Sequence, residues 1–236
     1  MLWNDWKPFY FSIVEQLGID PCKDREATVV LGRLLENSNP STLLDRLEMI
    51  RNRDVVVFGG GPSLENHIKI VLSNSQNSDT IFMAADGAVT ALLEQDLICD
   101  FVVTDLDGNK SDILKSIREG TTAIVHAHGD NIPALYDFIP RVEDVLGSTQ
   151  VEPLSNVFLW GGFTDGDRAC YIASHYSPRR IILAGMDFGQ SVGKWSKPGH
   201  RDSFRASPRK LVKLKIAQEL LSHLWSTTGI VHSYVQ

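Results

Sequence analysis

Six short apolar runs in this chain each end directly in a cluster of glycine and polar residues. A continuous apolar run of this kind is typical of a parallel strand that is buried on both faces. The runs recur at roughly 20- to 35-residue spacing, and helical patterns separate most of them, which predicts repeated strand–helix–strand units. The expected fold is α/β: a Rossmann-like, mostly parallel sheet with helices on both faces. With their polar ends, the runs are 54–60, 80–87, 100–108, 122–130, 156–165 and 179–187.

The chain outside these units is expected to be helical. Residues 1–52 have apolar residues at helical spacing and few strand signals, with Asp24 and Ser41 as candidate N-caps. We expect this N-terminal helical segment to accompany an α/β catalytic domain over residues 53–236. The amphipathic pattern of residues 209–226 predicts a C-terminal helix, followed by a last short strand.

Composition argues against several classes of protein. The 236 residues include 29 acidic and 23 basic ones, and the net charge of −6 argues against nucleic-acid binding through a broad basic surface. No run approaches the roughly 20 apolar residues that a membrane helix needs, and the N-terminus lacks a signal-peptide pattern. Cys22, Cys99 and Cys170 show no CxxC spacing, so we expect a reducing cytoplasm rather than a disulfide framework.

The polar clusters are expected to meet, because ligands of open α/β sheets bind at the carboxyl ends of the strands. In the segment TDLDG, Asp105 and Asp107 would share one face of an extended backbone. Two converging carboxylates suit Mg²⁺, and Asp86 at the end of the preceding strand could supply a third oxygen. The alternatives are an Asx-turn at Asp107 and an N-cap role for Asp86.

A glycine-rich turn, GGGPSL, follows the first strand and opens a helix. Its small residues would let backbone N–H groups approach an anion, so Gly60, Gly61 and Ser63 are candidate phosphate ligands. The turn matches neither the dinucleotide-binding pattern nor the P-loop, since Pro62 removes one N–H and no lysine follows. A tight strand-to-helix turn without a ligand is the alternative.

The segment HAHGDN places His126 and His128 on one face of a strand, followed by Asp130 and Asn131. We expect these groups to contact phosphate or to orient a carboxylate, with Asn131 available to a substrate. A zinc site is the weaker alternative, because no third histidine or cysteine has recognisable ligand spacing.

The segment GGFTDGDRA combines flexible backbone at Gly162 with two carboxylates and one guanidinium. Asp165 and Asp167 could accept hydrogen bonds from the N–H groups of a heterocyclic substrate, and Arg168 could clamp a phosphate. In the alternative reading, Asp167 caps the following helix and Arg168 is solvated.

Residues 194–210 form the longest irregular stretch and contain six Lys or Arg residues. A basic loop beside an acidic crevice is expected to act as a lid over nucleotide phosphates, with Lys197 and Arg201 as phosphate ligands. A solvated surface loop is the alternative.

The motif order AADGA, TDLDG, HAHGDN, GGFTDGDRA, AGMDFG resembles the archaeal 6-hydroxymethyl-7,8-dihydropterin pyrophosphokinases of the MptE type, over about residues 54–226. That family is similar in turn to thiamine pyrophosphokinases, whose motifs run ADGGAN, GDxDS, KDxTD and GGRxDH. Asp86 matches the aspartate of ADGG, and Asp105 and Asp107 match those of GDxDS. Thr104 and Gly108 depart from that pattern, which favours a pterin over thiamine.

The resemblance implies a fold like the thiamine pyrophosphokinase catalytic domain. It also implies transfer of diphosphate from ATP to the hydroxymethyl group of 6-hydroxymethyl-7,8-dihydropterin, with release of AMP. Asp86, Asp105 and Asp107 would hold Mg²⁺, so that Asp105 and Asp107 are catalytic. Arg168 and the basic loop would steady the phosphates, and Asp130 would assist deprotonation of the hydroxyl.

Small molecules are therefore the expected partners, with no nucleic acid or membrane, and a homodimer is left open. The alternatives are a thiamine pyrophosphokinase proper, a non-catalytic nucleotide-binding domain, and a glycosyltransferase that uses the D-x-D pair.

Overall fold

The computed structural model describes residues 1–74, 79–143 and 145–235. Over these residues the strands are β1 (Asp54–Phe58), β2 (Thr80–Ala85), β3 (Phe101–Thr104), β4 (Thr122–Ala127), β5 (Val145–Thr149), β6 (Val157–Phe158), β7 (Arg180–Ala184), β8 (Ser191–Val192), β9 (Phe204–Arg205) and β10 (His232–Tyr234). The helices are α1 (Trp3–Leu17), α2 (Pro21–Leu34), α3 (Ser41–Leu47), α4 (Leu64–Asn74), α5 (Ala88–Leu93), α6 (Lys110–Arg118), α7 (Ile132–Phe138), α8 (Asp165–His175) and α9 (Pro208–Thr228).

Eight of the described strands form one sheet in the order β10-β7-β1-β2-β3-β4-β5-β6, and each neighbouring pair is parallel. The chain builds the sheet outward from β1 to β6 and then returns with β7 to the other side of β1. The strand order therefore reverses between β1 and β7, which is where ligands of such sheets bind. The expected Rossmann-like α/β fold is confirmed.

A hydrophobic core lies on each face of the sheet, because side chains alternate along every strand. Val55 and Val57 of β1 belong to one core with residues of α1, α3, α8 and α9. Val56 and Phe58 belong to the other with residues of α2 and α4 to α7. The N-terminal helices thus contribute to both cores, and Trp6 of α1 is completely buried.

The sequence does not predict β5, because its apolar pattern is interrupted by Gly147 and two hydroxyl residues. The glycine is needed for packing: a Cβ at position 147 would lie 2.9 Å from a methyl carbon of Leu35 and 3.1 Å from the Asn156 carbonyl oxygen. Strand β6 is much shorter than the predicted run: it ends at Phe158, and Gly161 and Gly162 then turn the chain with φ of 95° and 79°.

Helix α2 begins earlier than its apolar pattern predicts. Its N-cap is Asp20, which accepts a hydrogen bond from the Cys22 N–H at 2.9 Å, and a proline takes the first helical position. The predicted cap Asp24 is instead buried inside the first turn. The N-cap of α3 is Pro40, so the predicted cap Ser41 is its first helical residue.

The basic stretch 194–210 is more ordered than its sequence indicates. β8 and β9 pair as an antiparallel ladder at its base, and its last residues already belong to α9. The stretch lies against the glycine-rich turn: the Gly193 N–H donates to the Gly60 carbonyl at 3.1 Å, and Trp195 Nε1 donates to Glu65 at 3.0 Å.

No helix among the described residues combines the length and the apolar character needed to cross a membrane.

An ion pair joins the first residues of the neighbouring strands β1 and β7. Asp54 of β1 accepts hydrogen bonds from Arg179 at 2.8 Å and from Arg180 of β7 at 2.6 Å. The hydrogen bond with Arg179 is the largest cause that lowers the pKa of Asp54 below its ordinary value. Both arginine side chains are about half exposed, which limits the energy of the pair.

We expect Asp54→Asn to lower the free energy of unfolding by about 1 kcal/mol at pH 7. Because the folded-state pKa of Asp54 is depressed, this stabilisation is present above the unfolded-state pKa near 3.8 and is lost as the pH falls through the lower folded value. Urea unfolding of both proteins at pH 7 and at pH 3 would measure it. Asp79→Asn, which removes a half-exposed partner of Arg179, is the matched control. An equal deficit at both pH values would contradict the role of the charge.

Candidate active site

The polar segments that follow the strands meet at the carboxyl edge of the sheet, as the sequence predicts. Residues from five of the six segments line a first cavity, which opens where β1, β2, β3 and β7 end. The sixth, which follows β4, lines a second cavity. The two cavities adjoin each other, since Asp105, Phe163 and Lys213 line both.

Three carboxylates converge in the first cavity. One oxygen from each of Asp86, Asp105 and Asp107 lies within 4.8 Å of the other two. Asp86 is only 6% exposed, Asp105 is half-buried and Asp107 is exposed, so the cluster reaches from the interior to solvent. The predicted grouping of these residues is present in the structure, and it suits a hard divalent cation.

The backbone that carries the three carboxylates adopts two uncommon conformations. Asp86 has a φ of 32° and Leu106 has a φ of 69°, which non-glycine residues seldom adopt. The Thr104 hydroxyl fixes both turns, because it accepts a hydrogen bond from the Leu106 N–H at 2.8 Å and donates one to Asp86. A Cβ at Gly108 would overlap the other Asp86 oxygen. The two departures from the thiamine pattern, Thr104 and Gly108, therefore both act on Asp86.

The carboxylates shift each other's titration. Burial raises the pKa of Asp86 well above its ordinary value, and the charges of Asp165 and Asp105 raise it further. Burial and the charge of Asp105 likewise raise the pKa of Asp165. Burial acts to raise the pKa of Asp105, but the hydrogen bond and charge of His128, with the Asp107 N–H and the charge of Lys213, together lower it.

A cation fits this arrangement on a second ground. Asp86 Oδ2 is buried and has no hydrogen-bond partner in the described part of the chain. A buried oxygen without a hydrogen-bond donor costs free energy, and a bound metal ion that it coordinates would remove this cost. The residues present therefore fit a divalent metal held by Asp86, Asp105 and Asp107.

Lysine side chains face the carboxylates across the first cavity. Lys197 Nζ lies 3.9 Å from Asp107 Oδ2, and Lys210 and Lys213 of α9 line the same cavity. Burial lowers the pKa of Lys210, and the charge of Lys213 lowers it further. From the sequence, Lys210 is included only as part of the basic stretch 194–210, and Lys213 is not assigned a role. A signal was present, since basic residues in the first turns of a helix oppose its dipole and often have another role.

The second predicted loop ligand, Arg201, does not line the first cavity. Arg201 lines a different cavity, together with Pro62 and Glu65.

The glycine-rich turn lines the first cavity through Gly60 and Gly61. Ser63 directly precedes helix α4, and its polar groups at this N-terminal end are already paired. Asp187 accepts hydrogen bonds from the N–H and the hydroxyl of Ser63 at 2.9 and 2.7 Å. A Cβ at Gly61 would overlap the same carboxylate. Ser63 therefore has no donor left for a phosphate, which corrects its predicted role as a phosphate ligand.

Arg168 and His126 are buried together beneath the second cavity. Arg168 is 1% exposed, and its guanidinium donates to His126 Nε2 and to the Phe163 carbonyl at 3.0 Å and contacts Asp165 at 3.3 Å. Burial lowers the pKa of His126 well below its ordinary value, and the charge of Arg168 lowers it further. A neutral imidazole that bonds Arg168 and, through Nδ1, Ser148 at 3.2 Å is no phosphate ligand, and Arg168 does not line the first cavity.

The residues after β4 have different surroundings from one another. His128 Nε2 lies 3.4 Å from Asp105 Oδ2, so His128 orients a carboxylate, one of its two predicted roles. Asn131 donates to the carbonyls of Asp105 and His126 at 2.8 and 2.7 Å, and its side-chain oxygen accepts from the His128 N–H. Both amide hydrogens are used, so Asn131 ties β3 to β4 and is not free to bind substrate as predicted. Asp130 is exposed and lines the second cavity, and its catalytic role stays a prediction.

Two further predicted substrate ligands are structural. Asp167 is fully buried in a capping box, where it accepts from the N–H groups of Phe163 and Thr164 and from the Thr164 hydroxyl. Gly162 turns the chain so closely over α8 that a Cβ there would overlap the backbone of Arg168. Asp165, by contrast, lines the first cavity beside the acidic cluster.

Comparison with known proteins gives consistent matches. The family model described as "6-hydroxymethylpterin diphosphokinase MptE-like" matches residues 30–193. The 6-hydroxymethyl-7,8-dihydropterin pyrophosphokinase of Methanocaldococcus jannaschii is 38% identical to the chain, over 94% of this chain and 95% of that protein. The enzymes of that name from Pyrococcus furiosus (95% of this chain, 94% of the relative) and Methanothermobacter thermautotrophicus (93% of each) are 44% and 39% identical.

Among solved structures, the MAf glycosyltransferase of Magnetospirillum magneticum AMB-1 aligns with 76% of this chain and 34% of its own length. The identity is 16% and the TM-score is 0.46, a likeness too slight to bear on function.

We expect Asn131→Ala to lower the free energy of unfolding by about 2 to 3 kcal/mol, because it leaves the carbonyls of Asp105 and His126 without their donor. Urea unfolding at neutral pH would measure the loss. Asp130→Ala, at the exposed neighbouring position, is the control and should change stability by less than about 0.5 kcal/mol. Equal effects of the two substitutions would contradict the structural role of Asn131.

Proposed function

The chain belongs to the MptE-like family of 6-hydroxymethylpterin diphosphokinases, and we propose that it transfers a diphosphoryl group from ATP to 6-hydroxymethyl-7,8-dihydropterin. The hydroxymethyl oxygen forms a bond to the β-phosphorus, the bond from that phosphorus to the α,β-bridging oxygen breaks, and AMP leaves. The hydroxyl proton is released in the same reaction. The observation that carries this proposal is the cluster of Asp86, Asp105 and Asp107 opposite the cavity's lysines.

The first cavity is the site that we assign to ATP. Transfer between phosphates depends mainly on positioning and on neutralising charge. Lys197, Lys210 and Lys213 supply positive charge to the cavity, and the backbone of Gly60 and Gly61 allows close approach of a phosphate. Arg168 acts here through Asp165, whose carboxylate it holds at the cavity wall.

The metal that we assign to this site is Mg²⁺, held by Asp86, Asp105 and Asp107. When bound, it would neutralise phosphate charge and hold the phosphate oxygens in place. The protein prepares the site beforehand, since the Thr104 hydroxyl fixes Asp86 and His128 fixes Asp105.

The proposal places the enzyme in the cytoplasm. Cys22, Cys99 and Cys170 are all free thiols in the described structure, and Cys22 is exposed, which suits a reducing compartment.

The acceptor can be tested directly. We expect AMP release from ATP and Mg²⁺ to depend on 6-hydroxymethyl-7,8-dihydropterin, and thiamine at the same concentration to give no more AMP than a reaction without acceptor. Chromatographic measurement of AMP and of the pterin diphosphate would check both arms. Turnover with thiamine alone would overturn the pterin assignment.

The metal role predicts a loss in two measurements. We expect Asp105→Ala to lower kcat at least about a hundredfold, since it removes a carboxylate from the reacting edge. The same variant should bind Mn²⁺ more weakly in an electron paramagnetic resonance titration. Asp137→Ala, an exposed acid on α7 that pairs with Lys110, is the control and should change neither quantity. Undiminished Mn²⁺ affinity and turnover in Asp105→Ala would contradict the assignment.

A further inference from the structure

The second cavity has no part in ATP binding as described above, yet it is built from ordered polar groups. It is lined by residues of the α1–α2 connection, α2, the ends of β4 and β5, α8 and α9. A ligand in it would end beside the acidic cluster, because Asp105, Phe163 and Lys213 border both cavities.

One wall of this cavity is a buried hydrogen-bond network centred on Asp24. The carboxylate is 2% exposed and accepts from the Tyr10 hydroxyl at 2.8 Å, from Gln150 Nε2 at 2.7 Å and from the Gly129 N–H at 2.8 Å. Gln150 is itself 4% exposed, and its backbone carbonyl oxygen accepts a hydrogen bond from Trp6 Nε1. The amide of Gln150 is therefore held in one orientation at the cavity wall.

The floor carries an unsatisfied donor. Arg168 lines the cavity, and its Nε is buried without a hydrogen-bond partner in the described part of the chain. An unpaired N–H of this kind costs free energy in the absence of a ligand, and a ligand acceptor would recover it.

The chemistry of these walls distinguishes between the two substrates. Phosphate is an anion, and the four basic side chains that line this cavity are matched by four aspartates, including the buried Asp24, so the cavity carries no excess of positive charge to attract it. An uncharged heterocycle with ring N–H, amino and carbonyl groups both donates and accepts hydrogen bonds. These groups match the amide of Gln150, the carboxylate of Asp24 and the guanidinium of Arg168, which all line the cavity. Phe163, at the border of the two cavities, offers such a ring an apolar face.

We propose that the second cavity, walled by Asp24, Gln150 and Arg168, holds the heterocycle of the acceptor alcohol, with its hydroxymethyl arm directed past Phe163 toward Asp105. This assignment rests on the proposed function, because it takes the acceptor to be a pterin. It makes the N-terminal segment, through α2, part of the acceptor site, whereas sequence patterns alone give Asp24 only a capping role.

The test separates the two ligands. Titration calorimetry would measure the binding of 6-hydroxymethylpterin and, separately, of α,β-methylene-ATP with Mg²⁺. We expect Gln150→Met, which keeps the volume and removes the amide, to weaken pterin binding at least tenfold and nucleotide binding less than twofold. Lys197→Met is the matched control and should weaken nucleotide binding while leaving pterin binding within twofold.

Thermal melting would reveal whether Gln150→Met is misfolded. A second variant, at the mouth of the cavity, tests the proposal independently of that defect. Lys23 lines the cavity and is exposed, so Lys23→Trp leaves the core intact and narrows the mouth. We expect it to raise the KM for the dihydropterin at least fivefold, with an unchanged KM for ATP.

Three outcomes decide the matter. Wild-type turnover of the pterin, with pterin binding unaffected in the folded variants, would overturn the cavity assignment and leave the proposed function standing. Loss of nucleotide binding in Gln150→Met would assign the cavity to ATP instead. Absence of any pterin turnover by the wild-type protein would overturn the proposed function, and the cavity assignment with it.

Discussion

Mutual repulsion among buried carboxylates is the constraint around which the carboxyl edge of this sheet is organised. Burial raises the pKa of Asp86 and of Asp165, and the charge of Asp105, which stands close to both, raises each of these pKa values further. The Thr104 hydroxyl, His128 and Arg168 each hold one of these carboxylates, and the lysines of α9 face them. A shared cation would stabilise such an arrangement, and it would also satisfy the Asp86 oxygen that has no hydrogen-bond partner among the described residues.

The fold follows from sequence wherever local pattern and burial agree. The apolar runs that become β1 to β4 and β7 are buried on both faces, so each run is also a strand. The apolar pattern does not predict β5, because position 147 is a glycine. Only the folded chain shows the reason: a larger residue there would collide with Leu35 and Leu31. The start of α2 was misplaced because Asp24 resembles a cap, whereas its carboxylate is used by Tyr10 and Gln150, which are distant in sequence.

The sequence likewise predicts some residues of the candidate site and not others. Asp86, Asp105 and Asp107 could be placed together because strand ends converge and carboxylates share a recognisable spacing. Asn131 and Asp167 could not be assigned this way, since a polar residue that binds a ligand and one that ties the backbone together look the same in sequence. The α9 lysines reach the cavity from a helix far along the chain, so their role depends on tertiary packing that no local pattern encodes.

Leu106 stands between the two neighbouring aspartates, and its side chain is 3% exposed within the core on the α2 face of the sheet. Burial of a leucine stabilises by about 1.5 to 3 kcal/mol, which is comparable with the roughly 1 to 3 kcal/mol cost of its left-handed backbone. The turn that presents the carboxylates is therefore anchored in the hydrophobic interior rather than resting on the surface. We therefore expect activity on heating to be lost together with the melting of this core rather than ahead of it.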